Sequence, residues 1–160
     1  MIKIVKALEQ DASQIAAIIR ESHQDIARMF AITEENNPKH PSFCTTDWVL
    51  RDFRRGEEYF LCMIGDTAAG CVAFEQPDAQ TAYLNRLSVL PEYRHQNLGA
   101  ALVRHILAYA RSKQVNVVSI GIIAAHERLK TWYAGFGFVE KDTRTFAHLP
   151  FDVTYMQYGI

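Results

Sequence analysis

One stretch of the sequence, residues 87–102, has the residue types and the order that an anion-binding site requires. Strand-forming residues end at Val89, a short polar loop follows, and helix-forming residues begin near Leu98. At the start of a helix the first backbone N–H groups have no partner within the helix, and the helix dipole adds partial positive charge. Arg94 offers a further charge, and Gly99 lets a ligand approach the backbone. The pattern therefore predicts a phosphate-binding loop.

This stretch resembles the pyrophosphate loop of the GNAT superfamily of N-acetyltransferases. The family loop has the form Gln/Arg-x-x-Gly-x-Gly/Ala, after a strand that ends in an apolar-x-Val pattern and a Pro-Glu-Tyr-Arg sequence. The matching residues here are Leu87-x-Val89, Pro91-Glu92-Tyr93-Arg94 and Arg94-x-x-Asn97-x-Gly99. Asn97 departs from the pattern, because it replaces the first glycine. Asparagine tolerates a positive φ better than other non-glycine residues, so the turn is expected to survive.

A second stretch, residues 129–138, is similar to another segment of the same family. The family pattern is Leu-x-x-(Trp/Leu)-Tyr-x-x-x-Gly-Phe. The matching sequence is Leu129-Lys130-Thr131-Trp132-Tyr133-Ala134-Gly135-Phe136-Gly137-Phe138. The two resemblances together cover about residues 83–139. Two matches at the family's separation are more specific than the loop alone.

The resemblance implies an acyltransferase that moves an acetyl group from acetyl-CoA to a primary amine of a small molecule or peptide. The sequence has no recognisable nucleophile arrangement, which favours direct attack by the amine in a ternary complex. In the family the pantetheine arm pairs with a strand, here through main-chain groups of Leu87 and Val89. The residues expected to bind acetyl-CoA are Leu87, Ser88, Val89, Arg94, His95, Gln96, Asn97, Leu98, Gly99, Ala100 and Tyr133.

Two catalytic roles follow from the resemblance and from the chemistry of acetyl transfer. The tetrahedral oxyanion needs a backbone donor, and the N–H of Val89 is the family-style candidate. The expelled thiolate, with a pKa around 8.5 by analogy with cysteine, benefits from a proton donor, and the resemblance gives this role to Tyr133. The alternative interpretation is that Tyr133 is a core aromatic residue, because it shares a helical face with Leu129 and Trp132.

The sequence leaves the general base open. A base or a water chain must deprotonate the amine, since a free alkylamine has a pKa near 10. Asn85 occupies a strand position that is acidic in many family members, and it cannot accept a proton. Glu75, at the end of its strand, is the nearest alternative carboxylate. His126 and Glu127 are further candidates, and a water relay without a single base is equally reasonable.

The sequence also leaves other functions open. A non-catalytic acyl-CoA-binding sensor or scaffold on the same fold is the main alternative, because Asn85 cannot act as a base. A nucleotide-binding protein of another family is disfavoured, because the loop lacks both a Walker motif and spaced dinucleotide-site glycines.

Two segments are expected to surround the acceptor amine. Residues 36–43 are expected to form a wall of the acceptor site, and residues 148–151 to border the same cleft from the other side.

Hydrophobic periodicity places these segments on strands and helices in the order β-α-α-β-β-β-α-β-α-β-β. The predicted strands are residues 2–7, 59–64, 70–75, 83–89, 116–123, 138–146 and 153–158. Four helices are predicted. The first is long, starts at a capping box on Asp11 and runs to Phe30, and the second is capped by Thr46. The third runs from Gly99 to about Lys113, and the fourth covers residues 129–136. The order indicates an α/β (mixed α+β) protein with helices on both faces of a mixed sheet. The resemblance implies a GNAT-type three-layer fold with about seven mostly antiparallel strands.

Composition limits the class of protein. The chain has 160 residues, 49% of them hydrophobic and 22% charged, which predicts a single globular domain. The resemblance implies that this domain, residues 1–160, is an N-acetyltransferase domain. A net charge of −1 gives no reason to expect nucleic-acid or membrane partners. Three dispersed cysteines and the absence of a signal-like start favour the cytoplasm. The six histidines are scattered along the sequence, so no metal site is predicted. A homodimer is left open, because many members of the family form dimers.

Overall fold

The computed structural model describes all 160 residues, and a single sheet of seven strands runs through them. The strands are β1 (Ile2–Lys6), β2 (Glu58–Ile64), β3 (Thr67–Glu75), β4 (Thr81–Val89), β5 (Val117–Ile123), β6 (Val139–Arg144) and β7 (Val153–Gly159). The helices are α1 (Ala12–Ser22), α2 (Gln24–Met29), α3 (Thr46–Arg54), α4 (Leu98–Ser112) and α5 (Glu127–Ala134). None of the five helices combines the length and the apolarity that crossing a bilayer requires.

The strand order across the sheet is β1-β2-β3-β4-β5-β7-β6. Every neighbouring pair is antiparallel except β4 and β5, which are parallel. A parallel pair needs a crossover connection, and α4 supplies it between these two strands. The mixed, mostly antiparallel sheet of seven strands is confirmed.

Alternating side chains of β2 show how the sheet is covered on both faces. Phe60 and Cys62 point into a core with residues of α4, whereas Tyr59 and Leu61 point into a second core with residues of α1. Complete burial of an apolar side chain of this size contributes about 1.5–3 kcal/mol to folding. The expectation of three layers, with helices on both faces, is therefore confirmed.

The predicted long first helix is wrong in one respect, because the chain breaks it at His23. That residue has φ −101° and ψ 3°, and it separates α1 from α2. Its Nδ1 bonds the carbonyl of Ile19 at 2.8 Å, and the side-chain amide of Gln24 donates to the carbonyl of Arg20 at 3.0 Å. Side chains that bond nearby carbonyls compete with regular helix geometry, and apolar periodicity does not reveal this.

The predicted helix caps are also corrected. The Asp11 carboxylate does not cap α1 but accepts the N–H of Leu8 at 2.8 Å, because a short 3₁₀ turn over Glu9–Asp11 precedes the helix. The second predicted cap is displaced by one residue, since the Thr45 hydroxyl accepts the N–H of Trp48 at 3.4 Å. Terminal positions depend on local turn geometry that the periodicity of the core face does not encode.

A bulge in β4 was not predicted. Cys71 and Ala73 pair with Ser88 and Asn85, so Arg86 and Leu87 together face one residue of β3. Arg86 has φ +55°, a conformation that costs a non-glycine residue about 1–2 kcal/mol. A bulge bends its strand and redirects its side chains, and this one lies where β4 enters the candidate site.

At Gly70 the backbone of β4 lies close to β3. A Cβ atom built on Gly70 would lie 2.6 Å from the carbonyl oxygen of Ser88, which is a backbone atom and cannot rotate away. An added methyl group must therefore push the two strands apart beside the bulge.

We predict that Gly70→Ala lowers the free energy of unfolding by about 1–3 kcal/mol, the usual cost of overpacking. Gly159→Ala is the matched control, because no atom lies within 4 Å of a Cβ built there. Its effect should stay within about 0.5 kcal/mol. Urea unfolding followed by circular dichroism measures both, and equal losses for the two variants would contradict the assignment of the close contact.

Candidate functional site

A cleft opens where β4 and β5 separate. The two strands pair only over Thr81–Tyr83 and Val117–Ser119. Beyond this point β4 continues to Val89 against β3, and β5 continues to Ile123 against β7, without pairing to each other. The main chain of β4 after Tyr83 is therefore unpaired on its β5 side, which leaves room for an inserted extended group.

The cleft has a volume of about 970 Å³, at the upper end of the range for small-molecule sites. Most residues that the sequence assigned to acetyl-CoA line it, and Gln96 is the exception. Those that line it are Leu87, Ser88, Val89, Arg94, His95, Asn97, Leu98, Gly99, Ala100 and Tyr133. The two expected acceptor walls also contribute, through Asn37, Lys39, His40, Pro41, Leu149 and Phe151.

Six consecutive backbone N–H groups, from His95 to Ala100, have no hydrogen-bond acceptor within the protein. The first bonded amide is that of Ala101, which donates to the carbonyl of Asn97 at 3.1 Å. His95 and Asn97 have φ angles of +65° and +64°, so the expected left-handed turn at Asn97 is present. Successive amides in such turns, next to a helix N-terminus, form a concave site for an anion.

Arg94 pairs with residues at the junction of α1 and α2. Its guanidinium contacts Asp25 at 2.6 Å and the carbonyl of Ser22 at 2.8 Å. Burial alone would raise the pKa of Asp25, but the hydrogen bond and charge of Arg94 lower it. Arg94 therefore ties the loop to the junction of α1 and α2, and its contact with phosphate stays a prediction.

Tyr133 projects from α5 and lines the cleft with 5% of its surface exposed. Its hydroxyl makes no hydrogen bond within the protein, and it is not sealed from solvent. The ring is held edge-to-face by Trp132 and Phe138, with centroid distances of 4.9 and 5.4 Å. Burial raises the pKa of the Tyr133 hydroxyl, which keeps it protonated and able to donate.

The structure does not place Glu75 on the cleft. Its Oε1 accepts a hydrogen bond from Nδ2 of Asn85 at 2.8 Å, and the same amide donates to Glu57 at 3.1 Å. Glu75 and Tyr133 are therefore not brought together, and the role of Glu75 as a base stays a prediction. Of the other candidates, His126 lines the cleft and Glu127 does not.

A buried ionic network behind the bulge was missed by sequence reasoning. Asp52, 1% exposed, accepts hydrogen bonds from Nε of Arg86 at 3.1 Å, the hydroxyl of Tyr59 at 2.6 Å and Arg55 at 2.5 Å. The guanidinium of Arg86 also lies over the ring of Trp48, at 5.8 Å. These contacts hold Arg86 in its strained conformation, and Arg86 is one of the residues that line the cleft.

We predict that Asp52→Ala lowers the free energy of unfolding by about 3–5 kcal/mol, because it leaves the partly buried Arg86 charge without its partner. Asp47→Ala, on the exposed side of the same helix, is the control, with a loss below about 1 kcal/mol from the helix dipole. Guanidinium unfolding curves would show the difference. A loss of similar size in both variants would mean that the network contributes little.

His23 and His40 both line the cleft. The sequence indicates a place near the acceptor only for His40, which lies in the expected acceptor wall, and it assigns no role to His23. No group of three His, Cys, Asp or Glu side chains lies close enough together to hold a metal ion.

The family follows from comparison with known proteins. The model of the acetyltransferase (GNAT) family matches residues 15–138, which is more than half of the chain. The chain belongs to this family of acetyltransferases. No curated protein sequence gives a significant match.

Solved structures of this GNAT family share the fold. The ribosomal-protein-S18-alanine N-acetyltransferase from Escherichia coli has a TM-score of 0.80 at 18% identity, over 100% of this chain and 94% of its own. An N-acetyltransferase from Staphylococcus aureus Mu50 has a TM-score of 0.74 at 17% identity, over 99% and 98%. A GNAT family acetyltransferase from Elizabethkingia anophelis, solved with acetyl-CoA bound, has a TM-score of 0.69 at 13% identity, over 99% and 98%.

Proposed function

We propose that this GNAT acetyltransferase moves the acetyl group of acetyl-CoA to a primary amine of a small molecule or peptide, by direct attack in a ternary complex. The observation that carries the proposal is the run of six unpartnered amides, His95 to Ala100, at the end of an unpaired strand edge. The proposed enzyme is one cytoplasmic N-acetyltransferase domain, residues 1–160.

The cleft fits a long ligand with an anionic end. The free amides of the loop suit the diphosphate of acetyl-CoA, and the dipole of α4 favours the same charge. The unpaired edge of β4 at Leu87 and Val89 suits the amide-bearing pantetheine arm, which would add to the sheet like a strand. The Elizabethkingia anophelis relative with bound acetyl-CoA supports this assignment.

Transfer requires a bond to form between the amine nitrogen and the acetyl carbon while the carbon–sulfur bond breaks. In the proposed mechanism the N–H of Val89 stabilises the oxyanion of the tetrahedral intermediate. Tyr133 gives its proton to the departing thiolate, and a base removes the proton of the amine. The unpartnered hydroxyl of Tyr133 supports its role, because no group of the protein competes for that proton.

The direct test measures release of free thiol from acetyl-CoA with a panel of polyamines, amino acids and peptide N-termini. We expect release with at least one acceptor. If CoA raises the melting temperature but no acceptor gives release, the protein is a non-catalytic CoA-binding module and the proposed reaction is wrong.

Tyr133→Phe should lower kcat by about 10²–10⁴-fold, the usual contribution of a general acid. Its CoA affinity should stay within about twofold, because the Phe ring keeps the packing. Tyr109→Phe is the control, since this hydroxyl bonds Glu58 and the residue is absent from the cleft lining. An unchanged kcat in Tyr133→Phe would remove Tyr133 from the mechanism.

Asn97→Val should raise the Kd of CoA about tenfold, because a β-branched residue at positive φ costs about 1–2 kcal/mol and distorts the loop. Asn97→Gly is the matched variant, and its Kd should not rise, because glycine adopts this conformation without cost. Titration calorimetry with CoA measures both. Equal affinities of the two variants would show that the loop amides do not bind the ligand.

A further inference from the structure

Two histidines that the mechanism above does not use face each other at the acceptor side of the cleft. His23 lies between α1 and α2, and His40 lies in the loop that precedes α3. Their rings meet edge-to-face at a centroid distance of 6.1 Å and an interplanar angle of 77°. His40 is 6% exposed, so both its position and its hydrogen bonds are defined by packing.

Hydrogen bonding fixes the tautomer of His23. Its Nδ1 lies 2.8 Å from the carbonyl oxygen of Ile19, which can only accept, so Nδ1 carries the proton. The other nitrogen, Nε2, makes no hydrogen bond within the protein and is not sealed from solvent. In the neutral ring Nε2 therefore has an unused lone pair, and His23 is one of the residues that line the cleft.

The opposite tautomer is fixed in His40. Its Nδ1 accepts the backbone N–H of Ser42 at 3.2 Å and lies 2.8 Å from the hydroxyl of the same residue. The neutral ring must then carry its proton on Nε2. Both residues line the cleft, and their rings supply one acceptor, on His23, and one donor, on His40.

Burial is the main reason that both rings are neutral. Burial lowers the pKa of His23, and the nearby Arg86 and Arg94 lower it further, against the backbone bond to Ile19 and the charge of Asp25. Burial and the neighbouring His23 lower the pKa of His40 to about 4. A histidine with a lowered pKa loses its proton below its ordinary titration range, so the lone pair of His23 is available at pH 7.

We propose that Nε2 of His23 accepts the proton of the attacking amine, and that the N–H of His40 positions the acceptor beside it. The inference rests on the proposed acetyl transfer and adds the base that the sequence left open. Before the attack, the ammonium proton of the acceptor passes to Nε2 of His23, which frees the nitrogen lone pair that bonds to the acetyl carbon. The thiolate takes a proton from Tyr133 as the carbon–sulfur bond breaks, and the second proton lost by the nitrogen restores the Tyr133 hydroxyl. His23 returns its proton to solvent after the acetylated product leaves.

His23→Asn is the informative variant, because its amide can still donate to the Ile19 carbonyl while the lone pair is lost. Only about one thousandth of an alkylamine with a pKa near 10 is neutral at pH 7. With the best amine of the acceptor panel, we expect kcat/KM of the variant to fall by at least about 100-fold at pH 7. The deficit should shrink about tenfold per pH unit as the pH approaches the pKa of the amine.

A series of ethylamines with increasing fluorine substitution separates proton transfer from structural damage. 2,2,2-Trifluoroethylamine has already lost its ammonium proton at pH 7, whereas ethylamine has not. We therefore expect His23→Asn to lose far less activity with the fluorinated amine than with ethylamine. The wild-type kcat/KM should fall only below the ordinary titration range of histidine, as His23 becomes protonated.

Glu21→Gln is the matched control, because Glu21 is an exposed titratable residue of the neighbouring turn of α1 and does not line the cleft, and its activity should equal that of the wild type. His40→Asn keeps an acceptor for the Ser42 N–H, and it should raise KM more than it lowers kcat. An equal deficit of His23→Asn at every pH and with every amine would overturn the proposal.

Nitrogen NMR of histidine-labelled protein gives a test that does not depend on activity. We expect Nε2 of His23 to be unprotonated and Nε2 of His40 to be protonated at pH 7. The reverse assignment would overturn the inference even if the protein acetylates amines. If no amine is acetylated but the tautomers are as expected, the proposed function fails and the base assignment fails with it.

Discussion

Unpaired backbone is the constraint on which the rest of this structure depends. Peptide N–H and C=O groups that leave a sheet or begin a helix must find partners in water or in a ligand. Here two such sets meet in one cleft: the β4 edge after Tyr83 and the amides of residues 95–100. The close contact at Gly70, the bulge at Arg86 and the ionic network at Asp52 are the features that hold β4 in this position.

Most of the fold could be predicted from the sequence, because its signals are local. The alternation of β2, the helical spacing of α4 and the apolar run of β5 each report which faces are buried. The turn at Asn97 and the free amides around it could be predicted because they depend on consecutive residues, and the tolerance of Asn97 for positive φ is a property of that residue alone. Tyr133 reached the cleft as expected because α5 follows directly from β5.

The features that escaped prediction depend on partners far apart in the sequence. Arg94 pairs with Asp25, and Arg86 with Asp52, across separations of 69 and 34 residues. The break at His23 results from side chains that bond helix carbonyls, and the periodicity of the apolar face continues through it. The cleft is also lined by residues from α1, α2 and the following loop, and the apolar pattern of these segments does not report which of their residues face it.

The central claim is that the amides of the loop and the free edge of β4 bind acetyl-CoA, and amide hydrogen exchange tests it most directly. Exchange is measured by mass spectrometry with and without acetyl-CoA. The account predicts slower exchange in peptides that contain residues 84–89 and 95–100, with no change in β6, whose residues are all exposed. Unchanged exchange at both segments under saturating acetyl-CoA, or protection confined to another part of the sheet, would contradict it.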